Sequence, residues 1–515
     1  GVSVTLTDDF DDVEASESGD LIQILVGDVD RTESKTVSEK LVSDVDWALC
    51  TVDHTVVLSA KKEAHLEKAV QHLISMMETN TQSWVLPGNL QHYYLAGENQ
   101  ELLHILDHYS IVYSQNASAR VKKAANQLSS SLSVLLTGHR IEAHSDASPA
   151  EKYEILIGET NRPASAADAE LTYYDYCVTV LDNQIVVNAG GGYAMENALE
   201  QLYCMLAFDE LEDTMFRFDS VGLNPYALHP ESFVPAWSGE ITVPEWMTNF
   251  EEKLYAITNP EGRLMCVAHR GDVIHYPEDS LEGILSAAML GADVIEFDLC
   301  MTKDRVLVLM HDTSLTRTTN VLQMKGKNGL PDSEDVSDWT FMQLRQLSLL
   351  DTDQNITEYK IPSYYEVLLA LRGRCFLMID QKTAGYAAED ILEIEAAVGA
   401  LECSIYSMFV SGSSGPAQGN SWSYMTEYSE AHPELLSFAE TIQKLNTYMN
   451  LPGHTIRSRG WIEKATTNPS AESPELYEKA FREKGIRLLY CNNMPAMSQH
   501  IAENYQPDLT DGQME

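Results

Sequence analysis

A chain of 515 residues is longer than one hydrophobic core usually organises, so two or three domains are expected. Its 44% hydrophobic and 22% charged residues are ordinary for folded proteins and exclude wholesale disorder. The 34 Lys and Arg against 78 Asp and Glu give a net charge of −44, which repels phosphate backbones and anionic membrane surfaces; nucleic acid is therefore not an expected partner.

The chain opens Gly-Val-Ser-Val with neither a basic n-region nor an apolar h-region, which fits a removed signal peptide or a trimmed start. No apolar run approaches the roughly 18 to 20 residues that span a bilayer, so no integral membrane segment is expected. Of the eight cysteines, Cys177, Cys266, Cys300 and Cys491 sit inside apolar strand-like runs and read as small buried hydrophobes rather than disulfide or zinc partners.

An internal repeat organises the first half. Residues 22–31 read IQILVGDVDR and residues 153–162 read YEILIGETNR, an offset of 131; WALCTVDHTVVLSA from Trp47 resembles YCVTVLDNQIVVNA from Tyr176, an offset of 129. Each copy reads as strand, loop, β-hairpin and amphipathic helix. Only the second is preceded by a strand at 111–113 and a helix at 118–132. The first copy therefore lacks its opening layer, unless residues 80–110 supply it. Gly190-Gly191-Gly192 imitates a phosphate loop, but the equivalent place in the first copy is Lys61-Lys62-Glu63, so a plain strand-to-helix turn is expected. The complete copy resembles the small accessory α/β domain of several glycoside hydrolases, including α-glucuronidases and β-hexosaminidases. That resemblance implies support or glycan contact through these domains and no catalytic residue.

The expected organisation is a truncated first α/β domain over 1–100, a complete second over 101–223, a linker over 224–257 and a catalytic domain over 258–515. The linker is read from the four prolines and absent periodicity of residues 224–246. Beyond it, apolar strands end at His269, Asp298 and His311, and further strands at 375–380, 405–410, 455–461 and 486–490 alternate with helices. Repeated β-α units over this length predict a parallel (β/α)8 TIM barrel preceded by two related small α/β sandwich-type domains, with polar residues gathered at the carboxyl ends of the barrel strands.

Glu296 and Asp298 stand two apart on one strand, so their carboxylates share a face and repel unless a cation lies between them. Hard oxygen donors favour Ca²⁺ or Mg²⁺, with Mn²⁺ a further alternative. His269 and His311, at separate strand ends, suit acid/base work near neutral pH. Taken alone, each feature is more often a structural ion pair or a structural histidine.

Taken together, His269-Arg270-Gly271, Pro277-Glu278, Gly291-Ala292-Asp293, Glu296-x-Asp298, Thr302-Lys303-Asp304, His311-Asp312, Arg317-Thr318-Thr319, and then Ile361-Pro362 with Glu366 follow one order. The set closely resembles the glycerophosphodiester phosphodiesterase family over about residues 264–495. The resemblance implies a TIM barrel, one divalent cation, and hydrolysis of a small phosphodiester to an alcohol and a phosphomonoester such as glycerol 3-phosphate. It makes His269 and His311 the acid/base pair, Arg270 a phosphate contact, and Glu296 and Asp298 metal ligands. The third ligand position, in FLMIDQK, falls on Asp380, one methylene shorter than the usual Glu, and Lys382 adds positive charge for phosphate. Asp279 replaces the family's usual Asn, and Cys491-Asn492-Asn493-Met494-Pro495 stands where relatives often end Thr-Asp-x-Pro. Trp461 is read either as a substrate wall or as a core tryptophan. Two rival readings stay open: an inactive barrel serving as a phosphodiester- or glycan-binding scaffold, and a phospholipase D-like enzyme acting on lipid head groups. An extracellular or cell-surface setting is expected from the accessory domains, with a cytoplasmic one as the alternative.

Overall fold

A computed structural model of the chain describes residues 23–52, 55–78, 90–95, 106–136, 140–165, 170–208, 211–258, 262–382, 388–400, 403, 472–483 and 488–509. It divides into two compact units, Gly1–Phe216 and Arg217–Glu515. Among the described residues, no helix is long and apolar enough to cross a membrane.

The first unit holds two sheets. One has β1 (Gln23–Val26), β2 (Trp47–Val52), β3 (Thr55–Ala60) and β4 (Gln91–Tyr94) in the order β1-β3-β2-β4. The other has β5 (Ser110–Tyr113), β6 (Ala143–Ser145), β7 (Glu154–Ile157), β8 (Tyr176–Val180), β9 (Gln184–Ala189) and β10 (Thr214–Phe216) in the order β10-β8-β9-β7-β5-β6. The shared part has the same strand directions and the same register. Gln23 faces Thr55 as Glu154 faces Gln184, Trp47 faces Ala60 as Tyr176 faces Ala189, and Trp47 faces Tyr94 as Tyr176 faces Phe216. Among the described residues, 80–110 supply β4, the counterpart of β10, while β5 and the helix Ala119–Leu135 stand beside the second copy. Instead of two separate domains over 1–100 and 101–223, both copies lie in one unit because their helices share a core. Ala69 and Leu73 from the first copy join Leu128, Leu132, Leu199 and Leu202 from the second in one buried cluster.

The triple glycine is a packing device. A Cβ at Gly190 would stand 1.8 Å from the Thr172 carbonyl oxygen, and one at Gly191 would enter the Tyr173 ring. All eight cysteines are free thiols. Cys266, Cys300 and Cys491 are buried, while Cys177 is only half-buried because its strand β8 carries the short, exposed β10 on its outer side.

The second unit carries the barrel. β11 (Met265–His269), β12 (Val294–Met301), β14 (Phe376–Gln381) and β15 (Leu488–Cys491) lie side by side and parallel in the order β15-β11-β12-β14. β13 (Leu307–Leu309) runs antiparallel to the end of β12 and is a hairpin extension rather than a barrel strand. The strands expected at 405–410 and 455–461 lie outside the described residues. Seven of the eight β12 residues are buried, as a parallel strand covered on both faces requires.

The segment read as a linker, 224–257, belongs to this unit and is bonded into it. Asn224 donates through its backbone N–H to Glu366 and through Nδ2 to Glu282, at 2.6 and 2.7 Å. Trp237 Nε1 donates to Ser286 at 2.8 Å, and the fully buried Lys253 ammonium donates to the Ala292 and Arg374 carbonyls at 2.8 Å each. Its prolines keep the helices short, Pro225–Leu228 and Phe250–Thr258, and side-chain partners along the path satisfy polar groups that a longer element would have paired. At the foot of β11, Arg263 makes a fork with Asp293 at 3.0 and 2.7 Å and reaches Glu252 at 3.3 Å, all three groups being buried. Arg263→Met leaves two buried carboxylates without their counter-charge and is expected to cost about 3–5 kcal/mol in the unfolding of this unit. Equilibrium denaturation measures it, and a loss below about 1 kcal/mol would mean that the pair is solvated.

Candidate active site

The site lies at the carboxyl ends of β11, β12 and β14. In register, His269 faces Glu296 across the β11–β12 pair, and Asp298 faces Asp380 across the β12–β14 pair. Glu296 and Asp298 alternate with Ile295, Phe297 and Leu299, so the two acids share one face of the strand and the apolar residues the other.

Backbone strain aims the first cation. Arg270 stands at φ 61°, its N–H donating to the Glu296 carbonyl at 2.7 Å, and its carbonyl accepting from Asp279 N–H at 3.1 Å; Asp279 is itself at φ 57°. Non-glycine residues in this region are strained and cluster at functional sites. Gly271 follows at φ 90°, where a Cβ would sit 2.8 Å from the Gly283 carbonyl carbon, inside the first turn of the helix Leu281–Met289. Ser280 caps that helix through Gly283 N–H at 3.1 Å.

The side chains make a belt of alternating charge. Arg270 Nε lies 2.9 Å from Asp298 and Lys382 Nζ 3.0 Å from its other oxygen, while an Arg270 terminal nitrogen lies 3.1 Å from Glu278. Glu278 also accepts a fork from Arg317 at 2.9 and 2.7 Å; Arg317 continues to Asp312, which holds His311 Nδ1 at 2.6 Å. Each buried Asp298 oxygen thus carries one cation. Three cations, Arg270, Arg317 and Lys382, thus stand against five carboxylates, Glu278, Asp279, Glu296, Asp298 and Asp312. Beside the belt, a cavity of about 460 Å³ is lined by His311, Asp312, Ser314, Thr316, Arg317 and Lys382.

The two histidines differ in their partners. His269 lies against the neutral Asn492 side chain, Nδ1 to Oδ1 at 2.8 Å, with its Nε2 3.8 Å from Glu296. Burial, and then the positive Arg270 beside it, push its pKa down to about 4. His311 lies instead against a carboxylate. Burial opposes ionisation of Asp312, but hydrogen bonds from Arg317 and His311 outweigh it and hold its pKa below the usual range. Burial raises the pKa of Asp298 against the opposing pull of Arg270 and Lys382, and burial, then Asp298, raises that of Asp279.

Of the expected site residues, His269, Arg270, Glu296, Asp298 and Lys382 are brought together, and His311 joins them through the belt. Asp380 occupies its strand position, but its side chain lies outside the described residues, as does the whole of Trp461. Among the described residues, no three His, Cys, Asp or Glu side chains form a metal cluster. A cation nevertheless suits the site: both Asp279 oxygens are buried with no hydrogen-bond partner among the described residues, in a net negative pocket. The sequence reading missed Asn492 and Glu472 as site neighbours. Asn492 follows strand β15, a position where a polar residue signals a barrel mouth; Glu472 carries no such signal.

Residues 269–482 match the glycerophosphoryl diester phosphodiesterase family. A glycerophosphodiester phosphodiesterase of Caldanaerobacter subterraneus subsp. tengcongensis is 32% identical over 117 residues, 22% of this chain and 44% of the relative. Glycerophosphodiester phosphodiesterase 1 of Bos taurus is 31% identical over 141 residues, 27% of this chain and 39% of the relative. The chain thus spans less than half the length of either relative. A glycerophosphoryl diester phosphodiesterase structure from Parabacteroides distasonis aligns with a TM-score of 0.34 at 19% identity, over 53% of this chain and 97% of that one.

A glycine comparison tests the strained turn. Gly271→Ala is expected to cost about 2–4 kcal/mol, combining the positive φ with the clash on Gly283. Gly329→Ala, at φ +76° with nothing within 4 Å of the added Cβ, should cost only about 1 kcal/mol. Equal losses in denaturant unfolding would remove the close approach from the account.

Proposed function

Residues 269–482 belong to the glycerophosphoryl diester phosphodiesterase family, and from that membership we propose that the chain hydrolyses a glycerophosphodiester to an alcohol and a phosphomonoester such as glycerol 3-phosphate. The observation that carries the proposal is the gathering of a half-buried histidine, two strand-borne carboxylates and two cations at adjacent strand ends.

A phosphodiester brings one negative charge and gains more on its nonbridging oxygens as an oxygen nucleophile attacks. Arg270 and Lys382, already fixed by Asp298, need little reorganisation to stabilise that charge. Glu296 and Asp298, with Asp380 facing Asp298 across the sheet, are the residues that would hold a divalent cation, Ca²⁺ or Mg²⁺ by the hardness of their oxygens, Mn²⁺ being the alternative. Such an ion supplies Lewis-acid polarisation of a phosphoryl oxygen.

The histidine partners divide the proton work. His269, against a neutral amide and beside Arg270, stays unprotonated and removes the proton of the attacking hydroxyl. His311, held through Nδ1 by the Asp312 carboxylate, turns its other nitrogen to the leaving alkoxide and protonates it. The accessory α/β unit keeps its expected role of support or glycan contact, and an extracellular or cell-surface setting goes with it.

His269→Ala and His311→Ala should each lower kcat on a glycerophosphodiester by about 10² to 10⁴-fold. Near-normal turnover in both would overturn the assignment. A chelator should abolish turnover, and added Ca²⁺, Mg²⁺ or Mn²⁺ should restore it; undiminished activity in the chelator would remove the cation from the reading. Trp461→Ala, compared in KM across diesters of different alcohols, tests the wall: an alcohol-dependent rise supports it, and an unchanged KM series assigns Trp461 to the core.

A further inference from the structure

The bond that sets His269 is itself set by a residue farther out. Asn492 can present either its carbonyl or its amide to the ring, and only the carbonyl requires a proton on Nδ1. Its other end settles the choice. Asn492 Nδ2 lies 2.9 Å from Glu472 Oε1, and a carboxylate at that place accepts but cannot donate. The same carboxylate accepts the backbone N–H of Asn492 at 3.0 and 3.2 Å, the N–H of Asn493 at 3.1 Å and the Tyr477 hydroxyl at 3.2 Å. Among the described residues, each of these groups bonded to Glu472 is a donor. The carboxylate is 7% exposed, so water cannot take its place. With the amide nitrogen committed outward, Asn492 Oδ1 faces His269 and the ring must carry its proton on Nδ1. Its Nε2 lone pair then lies toward Glu296 and the site.

We infer that Glu472 is a positioning residue, holding Asn492 in the one amide orientation that makes His269 a proton acceptor at Nε2. Glu472 touches neither ring nor substrate and acts only through Asn492. The kinetic part of this inference rests on the phosphodiesterase reading; the tautomer part does not.

The test exploits the donor count. Glu472→Gln keeps the shape but replaces one acceptor oxygen with an NH₂ group. An Asn492 amide that has turned over meets that change best, its oxygen accepting from Gln and its NH₂ donating to the His269 ring. ¹⁵N spectra of the full chain labelled at histidine, with the His269 signals assigned by their loss in His269→Gln, report the tautomer directly. The wild type should show a protonated Nδ1 and a bare Nε2, Glu472→Gln should reverse them, and Glu472→Asp, which retains the carboxylate, should keep the wild-type pattern. In parallel, Glu472→Gln should lower kcat about 10- to 100-fold with KM within about twofold, and Glu472→Asp should recover most of the loss. A wild-type His269 protonated at Nε2 overturns the inference without any variant having to fold. A folded Glu472→Gln with an unchanged tautomer also overturns it. A wild type and all variants with the expected tautomers but no diester turnover would uphold the inference about Glu472 and sink the phosphodiesterase reading.

Discussion

The second unit depends on how acidic groups are kept together at the end of a buried sheet. Glu296 and Asp298 leave β12 on one face, and Glu278 and Asp279 arrive from the loop before the next helix. Unopposed, these charges would drive one another to protonate or push the strand ends apart. Arg270 bridges Glu278 and Asp298, Lys382 takes the second oxygen of Asp298, and Arg317 carries the chain of charge to Asp312 and His311. The belt remains short of positive charge by two. That deficit is what suits the pocket to a dication, and it is local: the −44 of the whole chain falls off within a Debye length of about 8 Å and neither forms nor forbids the site.

Rigidity behind the belt comes from segments with no part in the chemistry. The strained pair Arg270 and Asp279 is locked by the Asp279 N–H donating to the Arg270 carbonyl and by Gly271 packed on the helix Leu281–Met289. That helix is held in turn from the far side, Trp237 donating to Ser286, and Ser286 to the buried Asp272. A proline-rich segment that looks like a tether is thus a brace for the turn that aims Arg270.

Local patterns made part of this legible. The Glu296-x-Asp298 alternation gives the shared face from the two-residue period alone, and the order of His269-Arg270-Gly271, Pro277-Glu278 and His311-Asp312 carries the family. Elsewhere local pattern failed for physical reasons. The run ending at Leu309 has the composition of a barrel strand, but a tight turn over 302–306 sends it back along β12. The paired helices of the first unit have the same amphipathic spacing whether each covers only its own sheet or shares a core, so one compact unit was indistinguishable from two domains. The bond between Asn492 and His269 spans 223 residues, and Glu472 joins only through β15 and the turn after it; such contacts are a property of the closed fold.

The account stands on the claim that this belt of charge cleaves a phosphodiester by water. Following a glycerophosphodiester by ³¹P NMR with the full chain and a divalent cation asks that directly, because diester and monoester phosphorus resolve without any coupled assay. The account predicts that the diester signal is replaced by that of a phosphomonoester as free alcohol accumulates in equal amount; a diester signal that persists undiminished, with the chain folded and the cation present, would contradict it.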